Sequence, residues 1–385
     1  IRLRSLKAAL KEREKHTFKS ETQREEIVLA QATHKKTILV PQFAPTHFEL
    51  LKGLFETDGY EVVILKNEEG ILDDGMQYLH NDMCYPAMVV IGQIMNALKS
   101  GQYDLKQTAI LMAQTEGQCR FTNYVKVLEK ALAEAGMSEV SVLTLSLAGV
   151  KKDSAFDGFS KKLLPKAIAA IIYGDLLTKV LYRVRPYEKV KDSAQALYEK
   201  WLEKCKESFK LPLRQTFKQT LKGIIADFDA LPCHEQLVKP RVGIVGELLV
   251  KLNPIANNHI IGMLEKEGVE VVSSDLLTLF LASAYNQTYN YKHLDGSLKG
   301  HIAGKAMLKM IEHYQKIYLE VLETSKRFEA PSRIASLAHD AGEIIGLGNQ
   351  SGEGWKLPGE IREMAHQGVS HIVCMQPFGC LPAHV

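Results

Sequence analysis

Four of the chain's six cysteines stand where a thiol could do chemistry. Cys374 and Cys380 lie in the run His371-Ile372-Val373-Cys374-Met375-Gln376-Pro377-Phe378-Gly379-Cys380-Leu381-Pro382. There a short apolar strand gives way to a loop with proline and glycine. Cys84 precedes Tyr85-Pro86, and Pro86 fits a first helical turn. A helix N-terminus favours negative charge and therefore the thiolate. Cys119 follows a glycine-bearing loop and opens another helix. Residues after the carboxyl ends of strands in an α/β sheet face the crevice where ligands bind. Thiols gathered there suggest a soft metal. The one close pair, Cys374 and Cys380, has five residues between its members. Zinc sites usually show closer pairs, so a zinc ribbon is not indicated, although a four-cysteine zinc site stays open. An iron–sulfur cluster in a cleft, held by three thiolates with one iron left for substrate, fits the spacing better. Cysteine is also a common buried apolar residue. A catalytic thiol would want a partner histidine, and none sits in an equivalent motif, although His47, His80 and His384 are near the relevant loops. Cys205, in a charged helical run, and Cys233, after Pro232, read as incidental.

These thiols need a frame, and composition bounds it. The length suits two or three domains. The 48 Lys and Arg against 45 Asp and Glu leave a net charge of +3, too little to argue for nucleic acid. No run approaches the roughly 18 apolar residues of a membrane span, so no membrane is expected and the cytoplasm is the default location. Six cysteines in 385 residues are too few for a disulfide scaffold.

Along the chain, four units are expected: 1–34 an N-terminal helical segment, 35–150 a first α/β domain, 151–236 a helical bridging segment, and 237–385 a second α/β domain. In the first unit Arg2, Arg4, Lys7, Lys11 and Arg13 flank Leu3, Leu6, Ala8 and Leu10, a solvated amphipathic helix without the aromatic interleaving of a nucleic-acid arm. Strands are predicted at 37–40, 61–65, 108–112 and 140–145, with helices at 47–57 (capped by Thr46), 87–98 and 121–135, and a polar loop over 66–82. The bridging segment reads as helices at 163–184, 193–208 and 213–231. Within it, Asp175 is expected to pair with Arg183 or Arg185, or those arginines to position an anion. The second domain repeats the plan: a strand at 242–247, a helix at 256–266 opened by Asn253-Pro254, and a strand at 269–272. Helices at 300–324, 332–344 and 357–366 feed the final strand. The stretch 282–293, rich in Tyr, Asn and Gln, reads as irregular. The Gly-rich run from Gly346 to Trp355 is a weak phosphate signal, is no P-loop, and reads as a connector. The fold class is α/β: two doubly wound, Rossmann-like or flavodoxin-like parallel sheets with a helical insert between them.

Five motifs together resemble one family. They are Val40-Pro41-Gln42-Phe43-Ala44-Pro45-Thr46-His47, Asn81-Asp82-Met83-Cys84-Tyr85-Pro86, Glu116-Gly117-Gln118-Cys119-Arg120, Gln350-Ser351-Gly352-Glu353-Gly354-Trp355 and Gln376-Pro377-Phe378-Gly379-Cys380-Leu381-Pro382. The chain is similar over nearly its whole length to the 2-hydroxyacyl-CoA dehydratase superfamily. Within that superfamily it resembles the long fused form named for activation of 2-hydroxyglutaryl-CoA dehydratase, in which ATP-hydrolysing activase domains precede dehydratase-like ones. Family members continue beyond the Pro-Phe-Gly-Cys loop with a helix and another strand, and carry Asn where Ala383 stands. The chain also opens on Ile1 rather than Met. The resemblance thus implies a fragment with a shortened second sheet. It also implies an iron–sulfur cluster, 4Fe-4S or double-cubane, on Cys84, Cys119 and Cys380, with Cys374 as a fourth or accessory ligand. Air can strip such a cluster during purification. The implied role is a dehydratase or reductase component of anaerobic metabolism. It would take a low-potential electron from the ATP-dependent activase and reduce a bound substrate to a radical, 2-hydroxyacyl-CoA-like or another small molecule. A homodimer is expected, and no ATP site. A non-catalytic scaffold within the fusion and a zinc-binding protein are the alternatives.

Overall fold

The computed structural model describes residues 37–80, 82–114, 119–146 and 163–382. The expected N-terminal basic helix lies outside them, as do the loop 115–118 and residues 147–162.

Two parallel sheets organise these residues. The first has the order β2-β1-β3-β4, from β1 (Thr37–Val40), β2 (Glu61–Ile64), β3 (Thr108–Gln114) and β4 (Ser141–Ser146). The second has the order β6-β5-β7, from β5 (Arg241–Gly246), β6 (Glu270–Ser273) and β7 (His371–Met375). In each sheet the first strand in sequence lies between the second and the third. Thr37 pairs with Glu61 on one side and Thr108 on the other, and Val245 pairs with Cys374. Both central strands are aliphatic and buried, as parallel strands covered on both faces require. β7 is an edge strand and half exposed, so Ile372 and Val373 are less buried than their sequence suggested.

The helices of the first sheet are α1 (Pro45–Thr57), α2 (Ile71–Tyr78), α3 (Tyr85–Lys99) and α4 (Tyr124–Glu134). Two expectations are corrected here. Pro45 opens α1, one residue before the predicted cap, and the Thr46 hydroxyl instead shares a hydrogen bond with Tyr198 at 2.8 Å. The predicted polar loop 66–82 contains α2. Its Gly75 lies against the Met88 backbone, and Gly92 of α3 lies against the Ile71 carbonyl, where a Cβ would stand only 1.8 Å from the oxygen. Glycine at both crossings lets the two backbones touch.

The bridging helices are α5 (Leu163–Val184), α6 (Ser193–Ser208) and α7 (Leu213–Ala230), within a residue of their predicted bounds. α5 is buried almost all round, from Ile168 through Tyr173 to Val184. A helix without a polar face belongs inside, and α5 packs against α1, α6, α7 and β6.

Around the second sheet stand α8 (Leu248–Leu252), α9 (Ile260–Lys266), α10 (Leu277–His293), α11 (Leu298–Leu322), α12 (Ile334–Gly342) and α13 (Lys356–His366). The predicted helix 256–266 begins only at Ile260, because the Asn253 side chain accepts from Ile255 N–H and Asn258 and His259 adopt positive φ. The stretch 282–293 is helical, not irregular. Leu277, Leu281, Ala282 and Ala284 give α10 a buried face against α11.

Candidate functional site

The carboxyl ends of both sheets converge on the thiols. Past β1, the Gln42 N–H donates to Gln93 of α3 at 2.9 Å, and the Gln42 carbonyl accepts from the buried Asn253 side chain at 2.7 Å. Leu249 and Ala256, which follow β5, share a core with Phe43, Cys84 and Tyr124. The two sheets therefore meet in packed apolar contact.

Cys84 caps the start of α3 and is 6% exposed. Its sulfur and the Tyr124 hydroxyl share a hydrogen bond at 2.9 Å. Burial and the neighbouring Cys84 hold the Tyr124 pKa far above its ordinary value, so this phenol stays protonated. Phe43, Phe121 and Tyr124 make an aromatic wall here, with ring centroids 5.8 Å and 4.9 Å apart in sequence along it.

Cys119 opens a single 3-10 turn, Arg120–Asn123, before α4, rather than opening the long helix itself. Burial raises its thiol pKa. The Phe121 N–H opposes that rise, while Cys84, Glu247 and Glu353 add to it. At this cysteine the turn does not by itself yield a thiolate. A bound cation would, by reversing the local charge.

The Pro-Phe-Gly-Cys loop is seated directly on Cys84. Tyr85 N–H donates to the Phe378 carbonyl at 3.0 Å. Gly379 sits at φ +67°, where an added Cβ would be 3.1 Å from the Met83 carbonyl oxygen and 3.2 Å from Cys84 Cα. Cys380 is 8% exposed. Cys374 lies within β7 and is exposed, with the Gln376 amide donating to its sulfur at 3.5 Å. It stands on the strand itself, not in the loop that follows. Cys205 is in the helical core with its pKa raised by burial, and Cys233 is buried beside Arg327.

Sequence reasoning missed a row of buried charges beside the thiols. The Gly-rich run is no loose connector: Trp355 N–H donates to the Asn349 carbonyl at 2.8 Å, Trp355 is 1% exposed, and Gly352 lies against Pro382 of the thiol loop. It delivers Glu353 to Lys356 at 2.6 Å. Lys356 pairs with Glu360 at 2.9 Å, and Lys251 lies 3.9 Å from the same carboxylate and 2.6 Å from Ser274. Lys251, Lys356 and Glu360 are at most 4% exposed on their side chains. Burial works against the Lys356 charge, but the two carboxylates outweigh it and raise its pKa. Glu247 follows β5, and its carboxylate accepts from Val250 N–H at 3.0 Å. Burial pushes its pKa up to about 7, and Glu353 adds to the rise. The spacing Glu353, Lys356, Glu360 (i, i+3, i+7) was the available signal, since it places all three on one helical face.

Asp175 does not pair with an arginine. It accepts from Leu276 and Leu277 N–H at 2.7 and 2.9 Å, and lies 2.9 Å from His47 Nε2. Arg183 pairs with Glu270, and Arg185 with Glu265 at 2.8 Å. A cavity of about 140 Å³ lies between α5 and β6, but Lys179, Arg183 and Arg241 on its walls are each matched by a carboxylate.

Among the described residues, no three Cys, His, Asp or Glu side chains form a group arranged to hold a metal ion. The turn bearing Cys119 lies beside Cys84, and the loop bearing Cys380 is seated on the segment that carries Cys84. No described helix is long and apolar enough to cross a membrane. No protein-family model, no curated protein and no solved structure matches the chain.

Proposed function

We propose that Cys84, Cys119 and Cys380 hold an iron–sulfur cluster between two Rossmann-like halves, in a dehydratase- or reductase-like component of the 2-hydroxyacyl-CoA dehydratase type. One observation carries this reading: the loop bearing Cys380 is bonded to the turn bearing Cys84, with the Cys119 turn beside it. The thiol is the ligand type such clusters take. Such a group supplies one-electron transfer, which here would draw on an ATP-dependent activase. The chain's own residues contribute the rest. The aromatic wall of Phe43, Phe121 and Tyr124 keeps water from the sulfurs. With Cys84 as a thiolate ligand, the protonated Tyr124 hydroxyl would donate toward its sulfur. Glu247 sits poised to hold or release a proton near neutral pH. Cys374, exposed on β7, is left as an accessory thiol.

A second reading has its own support. Cys84 already has a hydrogen-bond partner and Cys380 is buried, as in a docking module whose thiols only pack. Anaerobic reconstitution with iron and sulfide separates the two. On the first reading, Cys84→Ser, Cys119→Ser and Cys380→Ser each lose bound iron, and Cys374→Ser keeps it. A parent chain that takes up no iron on reconstitution would favour the docking module.

A further inference from the structure

The cavity of about 140 Å³ between α5 and β6 touches none of the thiols. Cavities of that size hold a benzene ring, so a small organic ligand fits. His47, Asp175, Lys179, Asp275 and Glu363 make one charged corner of it. Asp175 is fully engaged there, by His47 and by the Leu276 and Leu277 N–H groups. Asp275 is not. It is 8% exposed, and its Oδ1 lies 3.3 Å from Lys179, its one ion-pair partner among the described residues. Asp275 Oδ2 and the Tyr318 hydroxyl beside it are both buried without an aligned hydrogen bond. Glu363, on α13, accepts from Ser332 N–H and meets no cation among the described residues. Burial pushes the Asp275 pKa up to about 6; Lys179 opposes the rise, and Asp175 and Glu363 add to it. A buried carboxylate oxygen is costly unless it is paired and bonded. The arginines of the cavity are committed elsewhere: Arg183 and Arg241 to Glu270, and Arg327 to the Phe228 and Leu231 carbonyls. Over the whole lining, carboxylates outnumber fixed cations by one. A single positive charge matches that deficit and a divalent ion exceeds it.

We infer that this cavity binds a compact monocation, a primary ammonium or a potassium ion, at Asp275 Oδ2 and Glu363. An ammonium has three donors for the two carboxylates, and its carbon chain takes the rest of the space. Lys179 of α5, Asp275 before α10 and Glu363 of α13 meet here, so the bound cation ties the bridging helix to the second sheet and stabilises the fold.

The test uses the full chain, titrated calorimetrically at constant ionic strength with ethylammonium, potassium, tetramethylammonium and calcium chlorides. Ethylammonium or potassium is expected to bind saturably, several-fold tighter than calcium or tetramethylammonium, which has no N–H to donate, and to raise the melting temperature. Tighter binding of ethylammonium assigns the site to an organic amine, and tighter binding of potassium assigns it to the ion. Glu363→Gln keeps an acceptor for Ser332 N–H and should weaken binding about tenfold; Asp275→Asn should weaken it at least as much. No saturable binding of either probe, parent-like binding by Glu363→Gln, or equal or tighter binding of tetramethylammonium or calcium would overturn the inference. Iron content does not enter the readout, so the result stands apart from the cluster.

Discussion

Replacing Gly379 by alanine tests the contact between the two thiol loops. Gly379 adopts φ +67°, a left-handed conformation that costs an L-residue roughly 1–2 kcal/mol. The new Cβ would also face the Met83 carbonyl oxygen at 3.1 Å and Cys84 Cα at 3.2 Å, so the loop must shift by a few tenths of an ångström. Both effects fall on the seating of the Cys380 loop over Cys84. Local opening should become easier by the same 1–2 kcal/mol, or about five- to thirty-fold. The assay is the rate of modification by a disulfide reagent, in a Cys374→Ser background that removes the exposed thiol. Cys84 and Cys380 should react faster by that factor, while Cys205 stays inert in the helical core. Gly59→Ala is the control. It has φ +84° and nothing within 4 Å of an added Cβ, so it carries the backbone cost without touching the site. If Gly379→Ala loses global stability yet its thiols react at the parent rate, the loops do not gate one another and the reasoning fails.

Two further outcomes follow from the buried charges. Lys356→Met leaves Glu353 and Glu360 without their closest cation, and should lower urea stability by about 3–5 kcal/mol, with Lys356→Met/Glu353→Gln/Glu360→Gln recovering much of it. A loss below about 1 kcal/mol would show that the pairing adds little. Glu247 has its native pKa raised to about 7, so the folded state binds this proton more tightly than the unfolded chain. Its stabilising effect is full below the ordinary carboxylate pKa and fades as pH rises through 7, by about 1–3 kcal/mol after allowance for partial exposure. Glu247→Gln should therefore flatten the stability profile between pH 5 and 8, and an unchanged slope would refute that assignment.

Local pattern carried most of the frame. The strands of both sheets and the three bridging helices are written in apolar runs and their glycine stops, such as Gly59 and Gly268. Failures arose where packing overrode propensity. Gly75 and the acidic Asp73 and Asp74 argued against a helix, yet Gly75 is what lets α2 lie on α3. Tyr, Asn and Gln disguised α10, whose buried face is only Leu277, Leu281, Ala282 and Ala284. At the site, the cysteine positions were readable because each sits at a strand or helix end. The partners were not. Asp175 reaches the start of α10, and Glu247 and Glu353 come to Cys119 from distant segments, which one chain's spacing does not encode. Cys374 misled for a simpler reason: β7 is an edge strand, and it leaves Cys374 exposed together with His371.

The central claim is that the abutting loops hold a cluster. Iron and acid-labile sulfide, measured per chain on protein purified entirely without air, test it most directly. The expected result is a brown protein with about four irons and matching sulfide per chain, or a multiple of that for a double cubane. A colourless anaerobic preparation, free of iron and still free of it after reconstitution, would contradict it.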